Sequence, residues 1–295
     1  MIHERQVDLE KSTNVRFPRL TRRAMQLAGA MAPDFTAKYF AKKFLTPWIA
    51  ATPLREEAWV QGALPHTVRS GDYRLSVSSL GLGGPQVLLV HGWSGRGSQL
   101  GAFIEPLLDA GFEVNWFDLP AHGQSTGEQS GLVDAVEAVQ AVTQWLGGAH
   151  TVIAHSMGAA ATTLAAARGA EIGRMVYLCP PDDVGSFLAA VGRKIGLPEA
   201  VIDQARGHIE RRFGVSFEDL IPTQVAAGLG QPMLAVHDRD DREVQLGEVE
   251  QLVAAWPKAS FVVTEGLGHR RILRDPEVLG RVLDFVTRKG TARAA

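Results

Sequence analysis

The sequence predicts an α/β fold: a mostly parallel, doubly wound sheet flanked by helices, with a small helical cap inserted and a helical arm at the N-terminus. Three observations predict it. From residue 65 onward, six short, almost wholly apolar runs (87–90, 113–117, 151–154, 174–178, 233–236 and 261–263) take turns with helix-compatible stretches at 99–110, 132–146 and 157–168. Between Pro181 and the run that begins at Met233 there is no strand pattern. Residues 16–48 carry apolar side chains at helical spacing. The chain is therefore divided into an arm (1–60), a core (61–181 and 229–295) and a cap (182–228).

Residues 1–15 are polar and expected to fray. In the arm, Leu20, Ala24, Leu27, Ala28, Met31, Phe35, Tyr39, Phe40 and Phe44 repeat at helical intervals, broken at Pro33, so two short helices are expected. Their outer face is basic: Arg16, Arg19, Arg22, Arg23, Lys38, Lys42 and Lys43 against Asp34. Lys and Arg stems commonly cover apolar surface, which favours an arm packed on the main domain with its charges in water. Peripheral contact with a membrane, or with a partner, is the alternative. The segment TRRAMQLAGAMA (21–32) also has the paired arginines of an export signal. Its apolar stretch is short and rich in Ala and Gly, so it reads as a surface helix and the chain as cytoplasmic.

After the arm, HTVRSGDYRLSVSSLG (66–81) alternates around Ser70-Gly71-Asp72, a hairpin pattern. The six later runs lack polar alternation, as expected of parallel strands covered by helices on both faces. In the strand-free stretch, helices are expected near 184–195 and 198–213. Ligands of such sheets bind outside the carboxyl ends of the strands, so an insertion leaving from one of those ends covers the site. Arg206, His208, Arg211 and Arg212 in this cap read as a solvated helix face, with anion steering as the alternative.

Composition narrows the function. A chain of 295 residues, 45% hydrophobic, can bury one large core. A net charge of −2 offers no basic field for nucleic acid. The single cysteine, Cys179, excludes an internal disulfide and reads as a buried structural thiol. No apolar run is long enough to span a membrane. No oligomeric state follows from the sequence.

The segment VIAHSMGAAA (152–161) passes from β-branched residues through Ser156 into helix formers, with small Ala154 and Gly158 two residues to either side. A one-residue corner brings strand and helix together, so its flanks must be small, and its tip side chain projects from the sheet edge at a helix N-terminus. Such a serine suits a nucleophile that carries an anionic adduct. The short motif arises by chance in chains rich in Ala and Gly, so partners must support it. A hydroxyl needs a base, and the base needs a carboxylate to orient it. HDRDDREV (237–244) and TEGLGHRRIL (264–273) each follow a strand, on the same edge as Ser156. His269 is the candidate base; Asp238, Asp240 and Asp241 are candidate acids, with Asp182 and Asp183 after the preceding strand. His122 and Asp118, four apart, invite a metal reading but lack further ligands, so no metal and no cofactor are expected.

Four motifs in order give the chain its resemblance to the α/β-hydrolases over most of 65–290: HGW (91–93), FDLPAHGQS (117–125), AHSMG (154–158) and Asp241-x-x-Val244. Ala154 and Ala121 stand where glycine is usual. The resemblance implies a triad of Ser156, Asp241 and His269, favouring Asp241 over Asp240 by its spacing to Val244. It also implies an oxyanion hole from the backbone N–H groups of Met157 and Trp93. His91 is expected to steady that loop, and His155 and Trp93 to contact substrate. The implied activity is hydrolysis of a carboxylic ester or related small acyl compound through an acyl-enzyme. Thioesters, lactones, amides and carbon–carbon bonds are alternatives within the same triad chemistry. A non-catalytic ligand-binding protein on the same scaffold is the alternative from another class.

Overall fold

The computed structural model describes residues 18–288. The polar segment 1–15 and Arg16 lie outside the described residues. Two helices, α1 (Arg19–Met31) and α2 (Pro33–Phe44), open the described chain, and a third, α3 (Leu54–Trp59), follows them. The hairpin is β1 (Leu64–Ser70) and β2 (Tyr73–Leu80), turning at Gly71 with φ +52°. Then come β3 (Gln86–Val90), a 3-10 stretch (Gly97–Phe103), α4 (Ile104–Asp109), β4 (Glu113–Phe117), α5 (Leu132–Trp145), β5 (Ala149–His155), α6 (Met157–Ala167) and β6 (Ile172–Leu178). The cap region holds α7 (Val184–Ile195), α8 (Glu199–Phe213) and a short α9 (Pro222–Ala226). The chain closes with β7 (Met233–Asp238), α10 (Leu246–Ala255), β8 (Ala259–Thr264), α11 (Gly268–Arg271) and α12 (Pro276–Thr287).

The eight strands form one sheet in the order β1-β2-β4-β3-β5-β6-β7-β8. The pairings β1/β2 and β2/β4 are antiparallel; all the others are parallel. The apolar strands are explained by their two covered faces. Leu88, Val90, Val152, Ala154 and Tyr177 pack with Val136, Leu164 and Leu252 from α5, α6 and α10. Their neighbours in sequence, Val87, Leu89, Ile153, Val176 and Leu178, pack with Leu107 of α4 and Val278 and Val282 of α12. Because successive side chains on a strand point to opposite faces, an unbroken apolar run feeds both cores.

The end of the arm packs on the main domain as expected, the Trp48 N–H donating to Ser94 Oγ and Glu56 pairing with Arg96, but its first two helices pack elsewhere. A third apolar cluster joins Ala37, Phe40 and Ala41 of α2 to Val201, Ile202 and Ala205 of α8, so the arm meets the cap helices. Lys38 and His208 both bind Asp34, the latter across the α2–α8 contact. The helical period of α1 is as expected, but its apolar stripe is not inward. Gly29 packs on Pro198, and Met25 is half-buried. Leu20, Leu27 and Met31 lie in solvent. The basic side chains of α8 are paired: Arg206 with Glu210 and Glu218, Arg212 with Gln129, and Arg211 with His208. No helix among the described residues is long and apolar enough to cross a membrane.

Candidate active site

Among the described residues, four that are not glycine have left-handed backbone: Ser94, Ala121, Ser156 and Cys179, with φ between 51° and 63°. Each lies within four residues of the carboxyl end of a parallel strand, β3, β4, β5 or β6. Strain of this kind persists where surrounding packing enforces it. It marks one edge of the sheet. At Ala121 it also explains why glycine is usual in the resembling motif.

Ser156 is the corner between β5 and α6, with φ 51° and ψ −127°. Its N–H donates to the Leu178 carbonyl at 2.9 Å, tying the corner to β6. The small flanks follow from close packing. A Cβ on Gly158 would sit 2.5 Å from the His91 carbonyl oxygen, and one on Gly92 would sit 2.8 Å from Ser156 Cβ. Ala154 is fully buried. The loop after β3 is thus pressed against the corner, bringing Trp93 to the start of α6. The Met157 N–H begins that helix and has no intrahelical acceptor. Neither it nor the Trp93 N–H has a hydrogen-bond acceptor among the described residues.

Two buried imidazoles hold this loop. His91 Nδ1–H donates to the Gly92 carbonyl at 2.7 Å, while Nε2 accepts the Leu119 N–H at 2.9 Å. His122 Nε2 accepts the Ser94 N–H at 3.0 Å, while Nδ1–H donates to the Pro120 carbonyl at 2.8 Å. An accepting nitrogen must be unprotonated, so both rings are neutral with the proton on Nδ1. Burial pushes His91 down to about 4 and His122 to about 3. Asp118, the other half of the metal reading, accepts from the Gly97 and Gln124 N–H groups. The FDLPAHGQS segment therefore clamps the loop by hydrogen bonds.

On the opposite side, His269 sits in α11, and its Nδ1 lies 2.7 Å from Asp241 Oδ2. Asp241 Oδ1 accepts the Glu243 and Val244 N–H groups at 2.7 and 3.1 Å. Burial raises the Asp241 carboxyl, but His269, the Glu243 N–H and the Cys179 thiol together outweigh it and hold the carboxyl down at about 2. The rival carboxylates are occupied elsewhere. Asp238 accepts from Thr264, Leu267 and Gly268, shaping the turn that presents His269. Asp240 accepts the Gly266 N–H, Asp182 binds Thr223, and Asp183 caps α7 at Ser186.

Ser156, His269, Met157, Trp93 and His155 all line one cavity of about 900 Å³. Its other walls mix aromatic side chains, Phe44, Trp48, Phe187, Phe213 and Phe217 among them, with aliphatic and charged ones such as Leu132, Ile209, Arg96 and Glu243. Among the described residues no hydrogen bond joins Ser156 Oγ to His269; His269 Nε2 is 3.7 Å from Glu243 Oε2. His155 borders the cavity but is 4% exposed, and its Nε2 donates to the His269 carbonyl at 2.9 Å. It thus braces the His269 turn. Trp93 is half-buried, its ring edge-on to His122.

Several neighbours of the site carry contacts to it that the sequence did not assign. The buried Cys179 thiol donates to Asp241, and burial pushes it well up. His237, fully buried, has Nδ1 4.0 Å from Asp241 Oδ2. The candidate ligand atoms of Cys179, His237 and Asp241 lie within 4.8 Å of one another, the one such group of three among the described residues. Asp241 in that group is already engaged by His269 and two backbone N–H groups. From the arm, Glu56 is buried and grips Arg96 through two 2.7 Å bonds, and the Trp48 N–H donates to Ser94 Oγ. The position of His237 at a strand end could have pointed to it, and nothing local pointed to Glu56; Cys179 is buried, as the sequence suggested.

The family model described as "Alpha/beta hydrolase family" matches residues 87–282, which hold every element from the loop after β3 through His269. The chain belongs to the α/β-hydrolase family. Solved structures agree on the fold of this hydrolase-family chain. An esterase from Pyrococcus furiosus is 22% identical, with a TM-score of 0.64 over 82% of this chain and 98% of its own. An esterase from Exiguobacterium antarcticum is 15% identical, with a TM-score of 0.61 over 76% and 100%. A bacterial membrane phospholipase A is 18% identical, with a TM-score of 0.61 over 80% and 90%. At the level of sequence, no curated protein matches.

Proposed function

We propose that this α/β-hydrolase cleaves a carboxylic ester, or a related acyl compound, through an acyl-enzyme on Ser156. The observation that carries the reading is the 2.7 Å contact between His269 and Asp241 on the wall of the cavity that Ser156 also lines. In this scheme Ser156 Oγ attacks the substrate carbonyl carbon while His269 Nε2 takes its proton. The oxygen becomes an anion held by the Met157 and Trp93 N–H groups; one such donor contributes about 3–4 kcal/mol of transition-state stabilisation. Collapse breaks the bond to the alcohol, which leaves with the proton from His269. Water then repeats the sequence and releases the acid. Asp241, held near 2, stays ionised throughout and balances the imidazolium. Catalytic hydrogen bonds in ligand-free sites are often long and tighten with substrate, which accommodates the present Ser156–His269 arrangement.

Turnover of short and medium p-nitrophenyl esters by wild type and Ser156→Ala tests the scheme. The expected loss is on the order of 10⁶ in kcat. Unchanged turnover would remove Ser156 from the role. The position of His269 Nε2 beside Glu243 favours a second reading, a ligand-binding protein without turnover. Failure of a fluorophosphonate probe to label Ser156 would support that reading.

A further inference from the structure

We propose that helices α1 and α2 form a docking surface for an anionic lipid bilayer, beside the mouth of the cavity. Twelve large hydrophobic side chains are exposed among the described residues, and eight of them fall between Leu20 and Leu54. Met31 is 84% exposed, Phe35 73% and Trp48 82%. Scattered exposed apolar residues are ordinary; a concentration of them in one segment marks an interaction surface.

The geometry of α1 makes the point. Leu20, Leu27 and Met31 recur at spacings of seven and four, one face of the helix. Yet the helix touches the rest of the protein through Arg22, Met25 and Gly29, on another face. The apolar stripe is turned outward with nothing over it among the described residues. In α2, Phe35 and Tyr39 are likewise exposed, while Ala37, Phe40 and Ala41 are buried.

Charge selects the occupant. Between residues 18 and 54 the chain has six basic side chains, Arg19, Arg22, Arg23, Lys38, Lys42 and Lys43, and one acidic, Asp34. Asp34 is engaged by Lys38 and His208. A second copy packed isologously on this stripe would set like charges against each other, which costs affinity. An anionic headgroup layer satisfies them, and the acyl region beneath accepts the apolar stripe, as for helices that lie in a bilayer interface. Trp48 belongs to both regions: it is exposed in the patch and lines the cavity, so an acyl chain at the surface has a short path inward. The inference concerns binding and stands whatever the reaction proves to be.

Co-sedimentation of the full chain with phosphatidylcholine vesicles, with and without phosphatidylglycerol, tests it. Strong binding is expected only to the anionic vesicles, weakened by salt. Each basic side chain near an anionic leaflet is worth roughly fivefold in affinity, so a triple variant of Arg19→Gln, Arg23→Gln and Lys42→Gln should bind roughly a hundredfold more weakly. Leu27→Glu with Met31→Glu should abolish binding, and Leu82→Glu, in the exposed β2–β3 loop, should not. These side chains are exposed, so far-UV circular dichroism and Tm should match wild type. Equal sedimentation with both vesicle types, none with either, or undiminished binding by the triple variant would overturn the inference. So would a vesicle-free dimer, seen by ultracentrifugation, that Leu27→Glu with Met31→Glu dissociates.

Discussion

Mild acid should loosen this protein, and the loop after β3 is the reason. His91 and His122 must each accept a backbone N–H, so neither can carry a second proton in the folded state. Their folded values of about 4 and about 3 lie below the ordinary 6.5. The sign follows: the unfolded chain binds these protons first, so their contribution is complete above 6.5 and falls as pH drops toward 4 and 3. Between pH 7 and 5 each imidazole should withdraw about 2 kcal/mol, roughly 3.5–4 kcal/mol for the pair. His155 and His237, lowered first by burial, act in the same direction. Asp118, Asp134, Asp182 and Glu248, raised by burial, act oppositely, adding stability as pH falls from their raised values toward the ordinary 3.8 and 4.5. Urea unfolding at pH 7, 6 and 5 measures the loss. His122→Asn, with an amide oxygen to accept the Ser94 N–H, should lower the dependence by about 1.4 kcal/mol per pH unit in its steep region. Stability unchanged from pH 7 to 5, or the same slope in variant and wild type, would refute the reasoning.

Four further substitutions probe the corner and the carboxylate beside His269, two of them as controls. Asp241→Asn keeps a hydrogen-bond acceptor but removes the charge, so kcat should fall by about 10⁴ with KM little changed, while Asp240→Asn should stay within about tenfold of wild type. Steady-state kinetics on the p-nitrophenyl esters decide between them, and equal losses would count against Asp241 as the acid. Gly158→Ala would drive a methyl to 2.5 Å from one backbone carbonyl oxygen and 2.8 Å from another, neither able to yield. It should cost about 2–3 kcal/mol by thermal or urea unfolding. Gly280→Ala, in α12 with nothing within 4 Å, should instead stabilise by about 0.5–1 kcal/mol.

What the sequence made legible is local or periodic. The parallel strands were visible because each is covered on both faces, as Leu88 and Val90 against one core and Val87 and Leu89 against the other show. The Ser156 corner was visible because the space around Gly158 and Ala154 forbids larger side chains. Asp241 could be favoured but not separated from Asp238 and Asp240 by residue type. What separates them is which one accepts from the 264–268 turn and which faces His269, and that depends on how two loops meet. Glu56 lies in a helix of six residues and finds Arg96 forty positions later; no period or motif encodes that pairing.

The arm illustrates a different limit. A helical stripe of apolar residues with basic flanks is the same pattern whether the stripe meets a protein core or a lipid interface, since either medium excludes water. Periodicity therefore fixed the helices of the arm and left their direction open. In α1 the direction is set by Gly29, whose missing side chain lets the helix approach Pro198 closely; a Cβ there would lie 2.8 Å from the proline ring. Docking through that narrow face turns Leu27 and Met31 outward. One small residue on the polar side of the wheel thus decides which surface the apolar side of the helix is free to meet.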